Sequence, residues 1–85
     1  MAEKTKVGEV FTYFQKLGVA GIKLTAALKV GDRISIEGAT TNLQQAVDSI
    51  QVDRNALQEA PAGQEVGIKV SDKVRPHDIV YKLVE

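Results

Sequence analysis

The fold is decided by the stretch VGDRISIE, residues 30–37. Ile34 and Ile36 point to one side of an extended chain and the polar residues between them to the other, which is typical of a half-buried β-strand. Gly38 ends the run. Similar alternation or β-rich composition predicts further strands at residues 7–14, 20–24, 65–70 and 79–83. Turn signals lie at residues 16–18, 30–32, 61–63 and 75–78. Short strands separated by turns predict an all-β domain, either a small barrel or a sandwich.

One segment, NLQQAVDSI at residues 42–50, allows two interpretations. Leu43, Ala46, Val47 and Ile50 have the i, i+3, i+4, i+7 spacing of an amphipathic helix, and the segment begins like a capping box. As a strand, the segment needs a bulge near residues 48–49 to bring all four side chains to one face. The pattern alone leaves both the helix and the bulged strand open.

Length and composition exclude several classes of protein. The 85 residues fit one domain, residues 1–85, with residues 1–5 expected to form a disordered tail. The chain has no Cys and a single His, so disulfides, thiolate metal sites and His-rich metal sites are excluded. We therefore expect no metal and no cofactor. His77 is expected to be an exposed turn residue, and no enzyme activity is predicted.

Other motifs are missing from the sequence. It has no phosphate-binding loop of the Gly-x-x-x-x-Gly-Lys-Ser/Thr type, so nucleotide hydrolysis by the chain itself is not expected. No apolar run is long enough to cross a membrane, and the first residues lack the apolar segment of a secretory signal. These features predict a cytoplasmic protein without a membrane partner.

The formal net charge of zero hides an uneven distribution. Residues 1–33 carry six Lys or Arg and three Asp or Glu, whereas residues 34–68 carry one Arg and five Asp or Glu. If the chain ends lie side by side, their cations form a mildly basic face; the alternative is a solvated surface of mixed sign. The residues of this basic face are Lys4, Lys6, Lys16, Lys23, Lys73, Arg75 and Lys82.

Three of the four aromatic residues, Phe11, Tyr13 and Phe14, fall in the strand predicted at residues 7–14. Buried in a core, they need no functional explanation. Exposed together, they form a surface suited to a protein partner. Gly67 lies inside a predicted strand, which indicates that a neighbouring backbone or side chain comes close to it.

Five pieces of sequence combine into a recognisable order: VGEV at residues 7–10, GVA at 18–20, LKVGDRI at 28–34, APAGQEVGI at 60–68 and VRPHDIV at 74–80. This order resembles the β-barrel domain 2 of translational GTPases such as elongation factor Tu and initiation factor 2. It is similar to stand-alone translation elongation factor-like proteins. The resemblance implies a small closed six-stranded β-barrel and makes residues 40–53 a bulged strand. It also implies glycine at the position of His77, so the turn there has to accommodate a side chain.

In elongation factor Tu this domain helps to hold the aminoacylated end of tRNA. The resemblance places its Glu, Arg and Asn positions at Gln51, Arg54 and Glu65, of which only Arg54 matches. Glu65 would repel a nearby phosphate. The implied RNA- or partner-binding residues are Gln51, Arg54, Glu65, Lys6, Lys16, Lys73 and Arg75.

The resulting functional prediction is a non-catalytic binding module related to translation, which contacts tRNA, ribosomal RNA or a ribosome-associated protein. A similar barrel is also appended to some collagenase-like peptidases. The alternative is therefore a protein-docking barrel that acts in trans with a GTPase or a collagenase-like peptidase.

Overall fold

The computed structural model describes residues 3–52 and 55–84, and this part of the chain contains strands and no helix. The all-β prediction is therefore confirmed. The ten strands are β1 (Glu3–Phe14), β2 (Val19–Leu24), β3 (Leu28–Lys29), β4 (Arg33–Glu37), β5 (Asn42–Ala46), β6 (Ile50–Val52), β7 (Asn55–Leu57), β8 (Glu59–Ala60), β9 (Glu65–Lys69) and β10 (Ile79–Val84).

Eight strands form one antiparallel sheet in the order β5-β4-β10-β1-β2-β9-β6-β7, and β3 pairs separately with β8. The predicted closed six-stranded barrel is wrong, because no backbone ladder within the described residues joins the β5 edge to the β7 edge. The six predicted strands correspond to β1, β2, β4, β5 with β6, β9 and β10. The additional strands β3, β7 and β8 have only two or three residues, which is too short for a periodic signal.

Strand β5, at one edge of the open sheet, is connected to β6 and β9 near the other edge by a short segment and by a side chain. β5 pairs with β4 and β6 pairs with β9, although only residues 47–49 separate β5 from β6. Gln45 on β5 donates through Nε2 to the carbonyl of Lys69 at 2.8 Å, and its Oε1 accepts from the amide of Ser71 at 2.8 Å. A side-chain amide thus takes the place of a backbone ladder between β5 and β9.

The helical interpretation of residues 42–50 is wrong. The segment is strand β5, an irregular stretch at residues 47–49, and strand β6. Leu43 packs against the core and Val47 is buried, so the odd positions face inward; after the irregular stretch the buried position is Ile50. The inward-facing positions change from odd to even numbers across the irregular stretch, which gives the buried residues the spacing of a helix although no helix forms. The irregular stretch lies where the bulge was predicted.

Strand β1 begins earlier than expected and bends twice. Residues 3–5 pair with residues 84–82 of β10. The predicted disordered tail at residues 1–5 is therefore wrong for residues 3–5, and residues 1 and 2 lie outside the described part. The pairing register shifts between Lys6 and Gly8 and again between Val10 and Thr12. A Cβ on Gly8 would lie 2.9 Å from the carbonyl oxygen of Lys23, so only glycine fits this close approach.

The inward faces of the strands form one apolar core. Ile34 and Ile36 are fully buried, as their alternation predicts, and Ser35 between them is buried as well. The core residues are Val7, Val10, Ala20, Ile22, Leu24, Leu28, Ile34, Ile36, Val47, Ile50, Ala60, Val66, Ile68, Val70, Val74 and Val80.

Candidate functional site

Large exposed hydrophobic residues of the described chain are found at the end of β1 and in the turn that follows it. Phe11 is 46% exposed, Phe14 48% and Leu17 68%. We call these three residues the apolar edge. Tyr13 packs against the core instead, so the core interpretation of the aromatic cluster holds for Tyr13 alone.

The second bulge of β1 explains why Phe11 and Phe14, three positions apart, both face outward. In a regular strand Phe11 would share a face with Tyr13. The register shift between Val10 and Thr12 breaks this alternation. The Phe11 ring and the Thr12 methyl both lie over Gly21 of β2, where a Cβ would come within 3.0 Å of Phe11 Cζ and 2.6 Å of Thr12 Cγ2. Val10 is buried, so Phe11 faces outward by regular alternation, and the shift of one residue then turns Tyr13 to the core and Phe14 to the surface.

Two glycines form a depression beside the apolar edge. Gly21 of β2 pairs with Gly67 of β9, and Gly67 in turn pairs with Gln51 of β6. Both glycines occupy outward-facing positions, which alternate with the buried residues of the same strands. Because glycine has no side chain, the outer surface of the sheet is depressed there. The expected close approach at Gly67 is confirmed, since a Cβ there would lie 3.1 Å from Val19 Cγ1.

A cleft of about 470 Å³ occupies this depression and crosses β1, β2, β9 and β6. Its size falls within the range of ligand-binding pockets. Phe11 and Phe14 form its aromatic side, while Gln51, Gln64 and Glu65 contribute polar groups. The lining residues are Phe11, Phe14, Gly21, Gln51, Val52, Gly63, Gln64, Glu65, Val66 and Gly67.

The structure brings two of the predicted site residues together. Gln51 and Glu65 both line the cleft, although Gln51 lies on β6 and Glu65 on β9. Arg54 lies outside the described residues. The sequence analysis named Phe11 only as part of the aromatic cluster and missed Gln64 and Gly21; a glycine inside a strand pattern is a signal of close approach that could have indicated Gly21.

The predicted basic residues lie apart from the cleft. Lys6 is on β1, Lys16 is in the turn after it, and Lys73 and Arg75 precede β10; none of the four lines the cleft. Two other members of the basic face are ion-paired. Lys4 Nζ lies 2.9 Å from Glu37 Oε1 and 5.0 Å from the ring centroid of Tyr81, and Lys82 Nζ lies 3.5 Å from Asp32 Oδ2.

One carboxyl group in the described chain has a clearly displaced pKa. Hydrogen bonds from Lys4 and then from the Ser35 hydroxyl, the latter at 2.8 Å, hold the pKa of Glu37 below its ordinary value. Partial burial acts in the opposite direction. Glu37 lies on β4, away from the cleft, so this ion pair stabilises the sheet rather than the site.

His77 lies in the turn before β10 in a left-handed conformation, with φ at 77°. Its amide donates to the carbonyl of Val10 at 2.7 Å, and its side chain is 91% exposed. The imidazole Nδ1 lies 3.9 Å from Glu9 Oε2. Glycine adopts this conformation without strain, so the His77 side chain is accommodated at a cost.

Within residues 3–52 and 55–84, no cluster of three or more His, Cys, Asp or Glu residues is arranged to hold a metal ion. The same part of the chain contains no helix of the length and apolarity that crossing a membrane requires.

Comparison with known proteins relates the chain to peptidases. A collagenase of Porphyromonas gingivalis is 39% identical over 82 residues, which are 94% of this chain and 23% of the collagenase. An uncharacterised protease of Methanocaldococcus jannaschii is 39% identical over 83 residues, 96% of this chain and 20% of that protein. The chain thus spans about a fifth of the length of the curated relatives it matches. No protein-family model matches the chain.

Solved structures give the same relationship. The C-terminal domain of a protein assigned to the U32 peptidases, from Geobacillus thermoleovorans, has a TM-score of 0.85 at 25% identity, with 91% of this chain and 90% of that domain covered. GDP-bound aIF5B of Aeropyrum pernix has a TM-score of 0.66 at 14% identity, covering 93% of this chain and 15% of that protein, which is a likeness of fold alone.

These comparisons overturn the predicted relationship to translation elongation factors, and with it the predicted role in translation and RNA binding. The five sequence pieces report a fold that both groups of proteins share, because they mark its turns and strand starts. The relatives of this chain are collagenase and U32 peptidase proteins, and its fold is that of a U32 peptidase C-terminal domain.

Proposed function

We propose that this chain is a non-catalytic docking domain that acts in trans with a collagenase-like peptidase. The observation that carries the proposal is the apolar edge, exposed on a domain whose relatives are named collagenase and protease. In those relatives about four fifths of the polypeptide has no counterpart in this chain. That remainder is the partner that the docking domain would bind.

The apolar edge has the properties of a protein interface. Phe11, Phe14 and Leu17 adjoin one another along the end of β1 and its turn, and two further depressions beside Leu17 extend the surface. Contiguous exposed apolar surface on a small domain marks an interaction site. Aromatic residues are enriched at the centres of protein interfaces, where they contribute much of the binding free energy.

Affinity capture tests the docking. The tagged chain is immobilised and exposed to native lysate of its source organism, and bound proteins are identified by mass spectrometry. We expect a peptidase similar to the unmatched four fifths of the relatives to be enriched, and a Phe14→Ser/Leu17→Ser double variant to lose it. Lys73→Ser, at an exposed position that does not line the cleft, is the matched control. Recovery of no such peptidase, or equal recovery by the double variant, would refute the proposal.

A separate assay tests the absence of catalysis. The purified chain is incubated with gelatin and with fluorogenic peptides, and we expect no hydrolysis above the buffer rate. Hydrolysis that disappears in the His77→Ala variant would show that the chain itself is catalytic.

A further inference from the structure

We infer that the cleft beside the apolar edge binds an extended polypeptide segment in the polyproline II conformation that carries a basic residue. The inference rests on the proposed function only in treating this face as a docking surface. It goes further by naming the kind of segment that the cleft accepts.

The shape of the cleft favours an extended chain. Its lining crosses four neighbouring strands, β1, β2, β9 and β6. Adjacent strands lie about 4.8 Å apart, so the cleft spans about 14 Å. Polyproline II rises about 3.1 Å per residue, and the cleft therefore holds a segment of four or five residues. Gly67 is partly exposed and lowers the floor beside Gln51, which lets the ligand backbone approach the sheet closely, whereas Gly21 lies under the Phe11 ring.

The chemistry of the cleft favours proline. Phe11 and Phe14 present exposed rings along one side, and aromatic-lined grooves are the usual recognition surface for proline-rich segments. A polyproline II segment has no internal hydrogen bonds, so its carbonyl groups need donors. The side-chain amides of Gln51 and Gln64 line the cleft and supply them.

Charge determines which residue accompanies proline. Glu65 is the charged residue that lines the cleft, and it forms no ion pair with another residue of the described ranges. Lys23 is its backbone partner on β2, but the two side chains do not come within ion-pair distance. A carboxylate beside two aromatic rings is complementary to Arg or Lys in a proline-containing segment. The same carboxylate repels a phosphate ligand.

Three acetylated, amidated pentapeptides test the inference: Pro-Pro-Arg-Pro-Pro, the same peptide with citrulline in place of Arg, and Gly-Ser-Arg-Gly-Ser. Citrulline keeps the shape of Arg and removes its charge. Each is titrated into the ¹⁵N-labelled chain at low salt. We expect the proline–arginine peptide to shift the amide signals of Gly21, Gln51, Glu65 and Gly67. It should bind about three- to fivefold more tightly than the citrulline peptide, as an exposed ion pair predicts. The glycine–serine peptide should bind at least tenfold more weakly.

Variants assign the binding to the cleft. Phe11→Ala and Phe14→Ala should each weaken binding about tenfold, as expected for interface residues whose truncation costs more than about 1 kcal/mol. Glu65 is exposed, so Glu65→Gln should not change the fold. This variant should remove the preference for the Arg peptide over the citrulline peptide. Leu17→Ala, on the apolar edge but outside this cleft, should bind the peptide normally.

Three results would overturn the inference: shifts outside the cleft, equal binding of the glycine–serine peptide, or an Arg preference that persists in Glu65→Gln. Signals that move with protein concentration and block peptide binding would also overturn it, since a second copy would then occupy the cleft. Peptide binding without capture of a peptidase would refute the proposed function alone. Capture of a peptidase without peptide binding would refute this inference alone.

Discussion

The two halves of β1 differ in what surrounds them. Residues 3–9, the paired half, run along β10; Gly8 and Glu9 pair with β2 as well, and the half ends where Glu9 pairs with Ile79. Residues 10–14, the open half, pair with β2, and on the other side Val10 bonds to the turn at residues 77–78. In the paired half Lys4 is engaged with Glu37 and Tyr81, whereas the open half presents Phe11 and Phe14 to solvent. One strand thus supplies both the centre of the sheet and the candidate binding surface.

The largest expected effect is a difference in unfolding free energy between two glycine variants, one at Gly8 in the paired half and one at Gly67 in the cleft. Gly8→Ala should lower the free energy of unfolding by about 3 kcal/mol, because its Cβ would meet Ile22 Cγ2 at 2.8 Å and a backbone oxygen at 2.9 Å. Gly67→Ala meets a side-chain methyl at 3.1 Å and should cost less than about 1 kcal/mol. Urea denaturation measures both changes.

Peptide titration completes this comparison. Gly67→Ala should weaken binding of the proline–arginine peptide, since the methyl group fills the floor of the cleft. Equal destabilisation by the two variants would show that both glycines serve packing alone, and the distinction between the two regions would fail.

The next effect concerns the side chain that links β5 to β9. Gln45→Ala should lower the free energy of unfolding by about 1–2 kcal/mol, because it leaves the Lys69 carbonyl and the Ser71 amide without their partner. The stability of Gln45→Glu should lie between those of Gln45→Ala and the parent, since a carboxylate accepts from the Ser71 amide and cannot donate to the Lys69 carbonyl. The neighbouring exposed Gln44→Ala is the control and should change stability by less than about 0.5 kcal/mol. An unchanged midpoint for Gln45→Ala would show that the open sheet does not depend on this contact.

A smaller effect is expected at the junction between the two halves, where the His77 amide bonds to Val10. His77→Gly should raise the free energy of unfolding by about 0.5 kcal/mol. It relieves about 1–2 kcal/mol of left-handed strain. Part of this gain is offset by the greater chain entropy of glycine in the unfolded state. Thermal unfolding measures the change. His77→Ala removes the contact with Glu9 and keeps the strained backbone, so it should not stabilise; stabilisation of similar size would assign the effect to the side chain.

The smallest effect is the pH dependence of the paired half. The pKa of Glu37 is lowered in the folded protein, so its charged form contributes stability above the pKa of the unfolded chain. That contribution should disappear as the pH falls below 4.5 and through the lowered folded-state value. Urea midpoints between pH 7 and pH 3 should therefore fall less steeply for Glu37→Gln than for the parent. Parallel pH profiles would show that the Lys4–Glu37 contact does not stabilise the fold.

Much of the fold could be predicted because the chain alternates clearly. Ile34 and Ile36 are buried as the pattern predicts, and the irregular stretch at residues 47–49 lies where the face of the strand had to change. The short pairing of β3 with β8 could not be predicted, since two residues carry no period. Two of the predicted site residues, Gln51 and Glu65, line one cleft, and the aromatic side of that cleft depends on a bulge that the sequence does not mark.

By itself the sequence determined the all-β class, the inward residues of the longer strands and the turn at residues 75–78, because these depend on local alternation and on local turn-forming residues. Only the tertiary structure decided that the sheet stays open, that Gln45 links β5 to β9, and that Phe11 and Phe14 face solvent. Register between strands distant in sequence determines these features. A one-residue shift at Phe11 exchanges core for surface, and no local pattern encodes that shift.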